Sequence, residues 1–472
     1  MAERPWIAGL SLAFVAGCTL APTYVQPEAP VADEYRDRPA EEEGVTAADL
    51  GWRDVFGDPR LQRLIELALE NNRDLRVAAL NVERFQALYR IERAPLFPSV
   101  NATGTATYQE LPAAIPSSRF VPTSQYAVNV NVTAWELDFF GRIRSLSEAA
   151  LQRYFATVEA QRSAQLSLVG QVAIAHFQER AYAEQLEVAR QTLELVRESH
   201  RLTRRAYELG MASELDLRTA ESQLEVTRSN LALYEQRYAQ ARNGLVFLVG
   251  TPLPDDLPEP TPLVKARVRT DLPAGLPSDL LQRRPDILAA EHQLRAANAS
   301  IGAARAAFFP SISLTGQAGW ASPDLGNLFD GDNFTWTFTP RINLPIFQGG
   351  RLQASLDAAE ISKEIEIANY QRAIQAAFRE VADALVARKA IEERVQAQAA
   401  RVAANERRYA LAERRYRAGI DSYVTLLTAQ RDLYDAQQAL IDAQFERLRN
   451  LADLYRALGG GWLEHGALAE AD

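Results

Sequence analysis

The chain is poor in the residues that build reactive sites. One cysteine, Cys18, stands in 472 residues, which excludes an intramolecular disulfide and a thiolate metal cluster. Four histidines, His176, His200, His292 and His465, are scattered without ligand spacing. No nucleophile, phosphate or dinucleotide motif accompanies them, so neither a metal, a cofactor nor an enzymatic activity is expected. Two methionines give no thioether ladder for copper. Lysine is nearly absent (Lys265, Lys363, Lys389), and 51 basic residues face 61 acidic ones for a net charge of -10. No basic block is long enough to follow a phosphate backbone, which excludes nucleic acid. The apolar run from Trp6 to Ala16 is too short to span a bilayer as a stable helix.

That run suits the core of a signal peptide, expected over residues 1–17. Val15-Ala16-Gly17-Cys18 places small residues before the cysteine and resembles the bacterial lipobox, in which the cysteine is acylated and becomes the mature N-terminus. Cys18 is therefore the candidate lipidation site, with a buried thiol in an N-terminal helix as the alternative. Thr19 after it favours export to the outer membrane. Residues 18–50 read as a Pro-, Glu- and Ala-rich lipidated tether.

Proline and glycine are missing where the chain is longest. Arg142 to Glu208 holds no proline and only Gly170, and Arg351 to Ala418 holds neither. At 1.5 Å per residue, each stretch makes a continuous helix roughly 100 Å long. Shorter return helices follow, Ser213 to Val249 and Ser422 to Leu458. Seven-residue spacing joins Leu217, Leu224, Leu231, Tyr238 and Leu245, and likewise Leu427, Tyr434, Ile441, Leu448 and Tyr455, so coiled-coil packing is implied. An earlier helix, opening at Asp58-Pro59, is expected to break at Asn71-Asn72 and end near Ala94.

Alternation marks the strands. Val100, Ala102, Ala106 and Tyr108 oppose Asn101, Thr103, Thr105 and Thr107, while Val128, Val130, Val132 and Ala134 alternate with Asn129, Asn131 and Thr133. Ile312, Leu314, Ala318 and Trp320, then Phe334, Trp336, Phe338, Ile342 and Leu344, repeat the pattern about 210 residues later. The chain is thus written twice. Phe139-Phe140-Gly141-Arg142 answers Phe347-Gln348-Gly349-Gly350-Arg351, and Leu209-Gly210 answers Ala418-Gly419. Residues 51–250 are the expected first repeat (strands about 98–138, helices about 142–249). Residues 251–277 form the linker, 278–459 the second repeat (strands about 310–346, helices about 351–458) and 460–472 the tail. Ser278 is the expected cap of a short helix, and Pro285 starts the next.

Each strand is long enough to cross a membrane at a tilt. Four strands cannot close a barrel, and unpaired backbone in hydrocarbon costs several kcal/mol per group, so the pattern demands several copies. Three copies give twelve strands and an open, polar-lined pore.

Leu276-Pro-Ser-Asp-Leu-Leu-Gln-Arg-Arg-Pro-Asp-Ile287, with Ala290-Glu291, Leu294, Ala296-Ala297-Asn298 and Phe308-Phe309-Pro310-Ser311, resembles the signature of TolC-like outer-membrane efflux factors. The likeness is to the lipoprotein branch that serves RND pumps and runs from about Pro22 to Trp462. It implies a membrane α+β fold: a homotrimer with a 12-stranded barrel in outer-membrane lipid, a periplasmic α-helical barrel and a mixed equatorial belt. Function would be passive, an exit duct for drugs or other small toxic compounds, with a periplasmic adaptor and an inner-membrane pump as partners. A duct for type I protein secretion or heavy metals is the nearest rival, and a structural coiled-coil envelope lipoprotein a remoter one. By the same resemblance the two helix turns form the tip where the adaptor docks and the pore closes. Gly210 and Gly419 sit in those turns, either as helix terminators or as direct adaptor contacts. Asp421 matches the aperture aspartate, with an N-cap before Ser422 as the alternative. The first turn has Ala212 at the equivalent place, so a second carboxylate ring is not expected.

Overall fold

The structure, a computed structural model, describes residues 19–32, 35, 49–110, 124–272, 280, 281 and 283–465. Its helices are α1 (Trp52–Val55), α2 (Pro59–Asn71), α3 (Arg73–Arg93), α4 (Arg142–Glu208), α5 (Glu214–Val249), α6 (Pro285–Ala306), α7 (Arg351–Arg417) and α8 (Tyr423–Ala457). The strands are β1 (Val100–Tyr108), β2 (Ser124–Leu137), β3 (Ser311–Ser322) and β4 (Phe334–Asn343). Cys18, Ser278, the Pro112–Pro122 loop and the first residues of the signature, Leu276 to Asp279, lie outside the described residues.

The proline-free stretches became helices of 67 residues each, α4 and α7. The break at Asn71-Asn72 also has a cause. Asn72 leaves the helix with extended backbone, its Oδ1 accepts from Leu75 N at 2.9 Å to open α3, and its Nδ2 donates to the Leu248 carbonyl at 2.8 Å.

The chain divides into two compact units. The first comprises Met1–Glu28, Asn81–Val158 and Ala289–Gln371. It holds one antiparallel sheet in the order β1-β2-β3-β4, so β2 and β3 join the two repeats and β1 and β4 are edges. Directly opposed residues share a face of a sheet, and the register sorts the side chains cleanly. Ala102 faces Val130, Val130 faces Ala318, and Ala318 faces Trp336. On the other face Thr103 opposes Asn129, Asn131 opposes Gln317, and Gln317 opposes Thr337.

One expectation fails here. Ala134 does not extend the apolar face of Val128, Val130 and Val132. The register shifts between Val132 and Trp135: Val132 pairs with Gly316 but Trp135 pairs with Leu314. Ala134 takes a positive φ of 50°, and its N–H donates to Thr315 Oγ1 at 3.1 Å instead of to a strand carbonyl. This β-bulge inserts one residue and reverses the parity, so Trp135 and Leu137 now lie on the apolar face and Glu136 on the polar one.

The tether is also less free than its composition suggests. In the first unit it is pinned to α6: Asn298 Nδ2 donates to the Pro22 carbonyl at 2.7 Å and Tyr24 Oη to Glu291 Oε1 at 3.0 Å. Arg295 stacks on the Tyr24 ring, 4.9 Å from its centroid, while its guanidinium donates to Glu291 at 2.7 Å. Glu291, Arg295 and Asn298 are spaced four and three residues apart, one stripe of a helix. Gln26 Nε2 adds a bond to Tyr370 Oη at 2.8 Å.

The second unit comprises Ala29–Leu80, Glu159–Leu288 and Arg372–Asp472. Its core gathers Trp52, Phe56, Leu61, Leu64, Ile65 and Tyr455, each essentially without solvent contact. Tyr455 meets Phe56 edge-on and donates its hydroxyl to the Leu50 carbonyl at 2.7 Å. The seven-residue stripes turn inward, with Leu217, Leu224, Leu245, Leu427, Ile441 and Leu448 all buried. Arg284 of the signature, 7% exposed, grips Asp286 at 2.9 and 2.6 Å, Glu380 at 3.0 Å and the Ala457 carbonyl at the end of α8 at 2.9 Å.

Candidate functional site: a two-faced sheet and paired helix turns

Two features in separate units carry the chemistry. The first is the sheet. Its dry face runs from Val100 and Ala102 across Val128 and Val130 to Trp320, Phe334, Trp336 and Ile342, and its wet face is Thr, Asn, Gln and Ser. The dry side chains are uncovered within the chain: Val130 is 54% exposed, Trp336 68% and Ile342 69%. Isolated apolar residues on a surface mean little, but a continuous face of this size marks contact with lipid or another chain.

The second is the pair of turns in the second unit. Gly210 and Gly419 have φ of +73° and +71°, a left-handed conformation that glycine adopts without steric cost. Met211 N–H donates to the Ala206 carbonyl and Gly210 N–H to that of Tyr207, at 2.8 and 2.9 Å. Ile420 N–H to Arg415 and Gly419 N–H to Tyr416, both at 2.9 Å, repeat the pattern. Both helices thus end in Schellman motifs, which satisfy carbonyls left orphaned at the last turn. A Cβ at either glycine would meet nothing within 4 Å, so backbone conformation, not crowding, requires glycine.

The two turns restart differently. Ser213 opens α5 with a capping box shared with Asp216, and Ser422 opens α8 by accepting from Thr425 N. Asp421 is therefore not the N-cap. Its carboxylate receives a two-pronged grip from Arg415, Nε at 2.8 Å and a terminal nitrogen at 3.0 Å. The guanidinium holds Asp421 below the usual carboxylate range and is itself raised in turn. In the first turn both partners are lost together, since Ala206 and Ala212 stand at the corresponding positions. Around this polar clasp the turns show bare apolar side chains: Leu209 60%, Met211 79% and Ile420 64% exposed. Tyr416, Tyr423 and Leu427 with Ala220 of α5 pack beneath them.

Arg415 was not singled out from sequence, because its partner lies six residues away across a chain reversal. His176, by contrast, is a packing residue, 1% exposed, and burial pushes its pKa down to about 4. His292 joins Gln152 through Nδ1 at 2.7 Å. Among the described residues no cluster of His, Cys, Asp or Glu fit to hold a metal occurs, and no helix is long and apolar enough to cross a membrane.

A sheet with one wet and one dry face, carried between helices of this length, defines a subunit of an α+β membrane channel. The model of the outer membrane efflux protein family matches residues 64–251 and 276–460, and the chain belongs to that family. It is 52% identical over 464 residues to the toluene efflux pump outer membrane protein TtgC of Pseudomonas putida, covering 96% of each chain. The antibiotic efflux pump outer membrane protein ArpC, also of Pseudomonas putida, matches with the same figures. Among solved structures, the open state of the Neisseria gonorrhoeae MtrE outer membrane channel superposes with a TM-score of 0.88 at 42% identity, covering 95% of this chain and 100% of the other.

Proposed function

We propose that the protein is the outer-membrane exit duct of an RND-type efflux pump, conducting drugs or other small toxic molecules passively out of the cell. The observation that carries this reading is the sheet: four strands with a dry face and two open edges, β1 and β4. Open edges cannot stand in hydrocarbon, so further copies must close the sheet. Three copies of four strands make a barrel of twelve, which leaves a lumen lined by the Thr, Asn and Gln face, whereas eight strands leave little room. The strands then span the outer membrane, and the long helices extend into the periplasm. Cys18 carries the lipid anchor. An adaptor docks on the exposed side chains around Gly210 and Gly419, and an inner-membrane pump supplies the energy. Asp421 rings the aperture, with Arg415 beside each carboxylate to temper the repulsion that like charges around an axis would otherwise build.

Chemistry plays no part in this role, and the duct does not select the cargo. Two relatives equally similar to this chain bear the names of toluene and of antibiotic efflux. The test uses the acylated full-length protein purified in detergent. A trimer by mass, with ion conductance in planar bilayers and restored solvent or drug tolerance in a duct-deficient strain, is expected. A monomer with no conductance would sink the proposal. Mass spectrometry of the mature N-terminus decides the anchor separately: an unmodified thiol at Cys18 removes it.

A further inference from the structure

In the first unit a cavity of about 500 Å³ is lined by Thr19, Arg93, Leu96, Arg144, Ser145 and Glu148, among others. Sequence position fixes its depth. Leu96 comes just before β1 begins at Val100, Arg144 and Ser145 come just after β2 ends at Leu137, and Thr19 adjoins Cys18. The cavity therefore lies where the strands leave the bilayer on the periplasmic side, an inference that rests on the strands spanning the membrane.

Its lining is built for a group with two charges. Arg93 is exposed. Arg144 is held in position by Asp138, through Nε to Oδ2 at 3.1 Å and a terminal nitrogen to the carbonyl at 2.8 Å. Ser145 is 3% exposed and its Oγ has no hydrogen-bond partner, an omission that a buried hydroxyl rarely tolerates. Glu148 accepts from Gln152 at 2.7 Å and supplies the only negative charge among the described lining residues. Two guanidinium groups and an unsatisfied hydroxyl suit a phosphate oxygen, the carboxylate suits an ammonium, and Leu96 gives an alkyl chain a surface to follow.

We propose that this cavity binds the headgroup of a zwitterionic phospholipid of the phosphatidylethanolamine class from the periplasmic leaflet. The phosphate sits on Arg93, Arg144 and Ser145 and the ammonium on Glu148. The bound lipid would lie beside the protein's own acyl anchor and fix the height of the barrel in the membrane.

The experiment titrates the delipidated, acylated trimer in detergent with dioleoyl phosphatidylethanolamine and reads bound lipid by native mass spectrometry. One retained lipid per chain is expected. Arg93→Glu should weaken retention about tenfold, the loss of one charge-assisted hydrogen-bond partner, and Arg93→Gln less. Glu148→Gln should weaken phosphatidylethanolamine while leaving phosphatidylglycerol unchanged. Unaltered retention by both Arg93 variants overturns the proposal. So does displacement of the lipid by millimolar inorganic phosphate, which would reveal a site for free anions. Planar-bilayer conductance of the same samples separates the two ideas: a failed lipid site in a conducting trimer leaves the duct standing, whereas a wild-type protein that never inserts refutes the duct itself.

Discussion

Deleting Ala134 tests the bulge and, with it, which face of the sheet meets lipid. The deletion restores uninterrupted alternation after Val132, because the extra residue at the register shift is gone. Trp135 then stands two residues after Val132 and still opposite Leu314, so everything from Trp135 to the end of β2 keeps its face. Trp135 and Leu137 stay on the dry face, each keeping about 1.5–3 kcal/mol of apolar transfer. Glu136 stays on the wet face and keeps Arg142, which it grips at 2.9 and 2.6 Å. The expected change is a gain of at most about 1–2 kcal/mol per chain, from removing the left-handed Ala134. Ala134→Gly is the control. It keeps the bulge and removes a left-handed penalty of about 1–2 kcal/mol, partly offset by glycine's entropy, so it should be neutral to slightly stabilising. The assay is urea unfolding in lipid vesicles, with Trp135 as the sole tryptophan. Trp135 should be quenched by brominated lipid in the wild type and in the deletion alike, and by an aqueous quencher in the lumen in neither. Lumen quenching of Trp135 in the deletion, with a marked loss of urea resistance, would refute both the parity argument and the assignment of the dry face to the membrane.

Asp421→Ala should raise closed-state conductance in planar bilayers and admit vancomycin to cells, and Arg415→Ala should make conductance more salt-sensitive because the carboxylates are left unneutralised; conductance unchanged in both removes the aperture role. The clasp depends on an ionised Asp421, whose pKa is depressed, so it holds at neutral pH and should release only as pH falls below the ordinary carboxylate range. Arg284→Ala strands the carbonyl of Ala457 and two carboxylates, with an expected loss of about 2–4 kcal/mol in denaturant titration; a loss under about 1 kcal/mol would show that the grip is dispensable. For His176 the unfolded chain binds a proton near pH 6.5 while the folded one resists until about pH 4. Stability should therefore be full above pH 6.5 and decline on the order of 3 kcal/mol between there and pH 4. His176→Gln should flatten that slope in pH-dependent thermal melts, and an unaltered slope would point to other groups.

Most of the architecture was legible because absence is a strong signal. A stretch without proline or glycine has nothing to stop a helix, so α4 and α7 could be read almost to the residue. Strands were legible from parity alone, and the bulge was missed although it left a mark. Ala134 and Trp135 are adjacent apolar residues, and Glu136 then falls where the earlier rhythm predicts a buried side chain. The clasp was half legible. Asp421 stood out by resemblance, but Arg415 meets it only after Gly419 reverses the chain, a geometry that no spacing rule along one helix describes. The signature residues were readable as a string and opaque as chemistry. Arg284 serves the end of α8, while Glu291 and Asn298 serve an N-terminal segment more than 260 residues earlier.

That last attachment also sets an order of events. The segment bearing Pro22 and Tyr24 leaves the export machinery first, yet the helix face that receives it is among the later parts of the chain to arrive. For most of its biogenesis the N-terminus is thus unclaimed, and under the lipid anchor proposed at Cys18 it is then that cleavage and acylation would occur. Once Glu291 and Asn298 fold into place, those residues are tied down. The late partner acts as a timer: the N-terminal segment stays unclaimed while the first repeat is made and is fixed only when the second one folds.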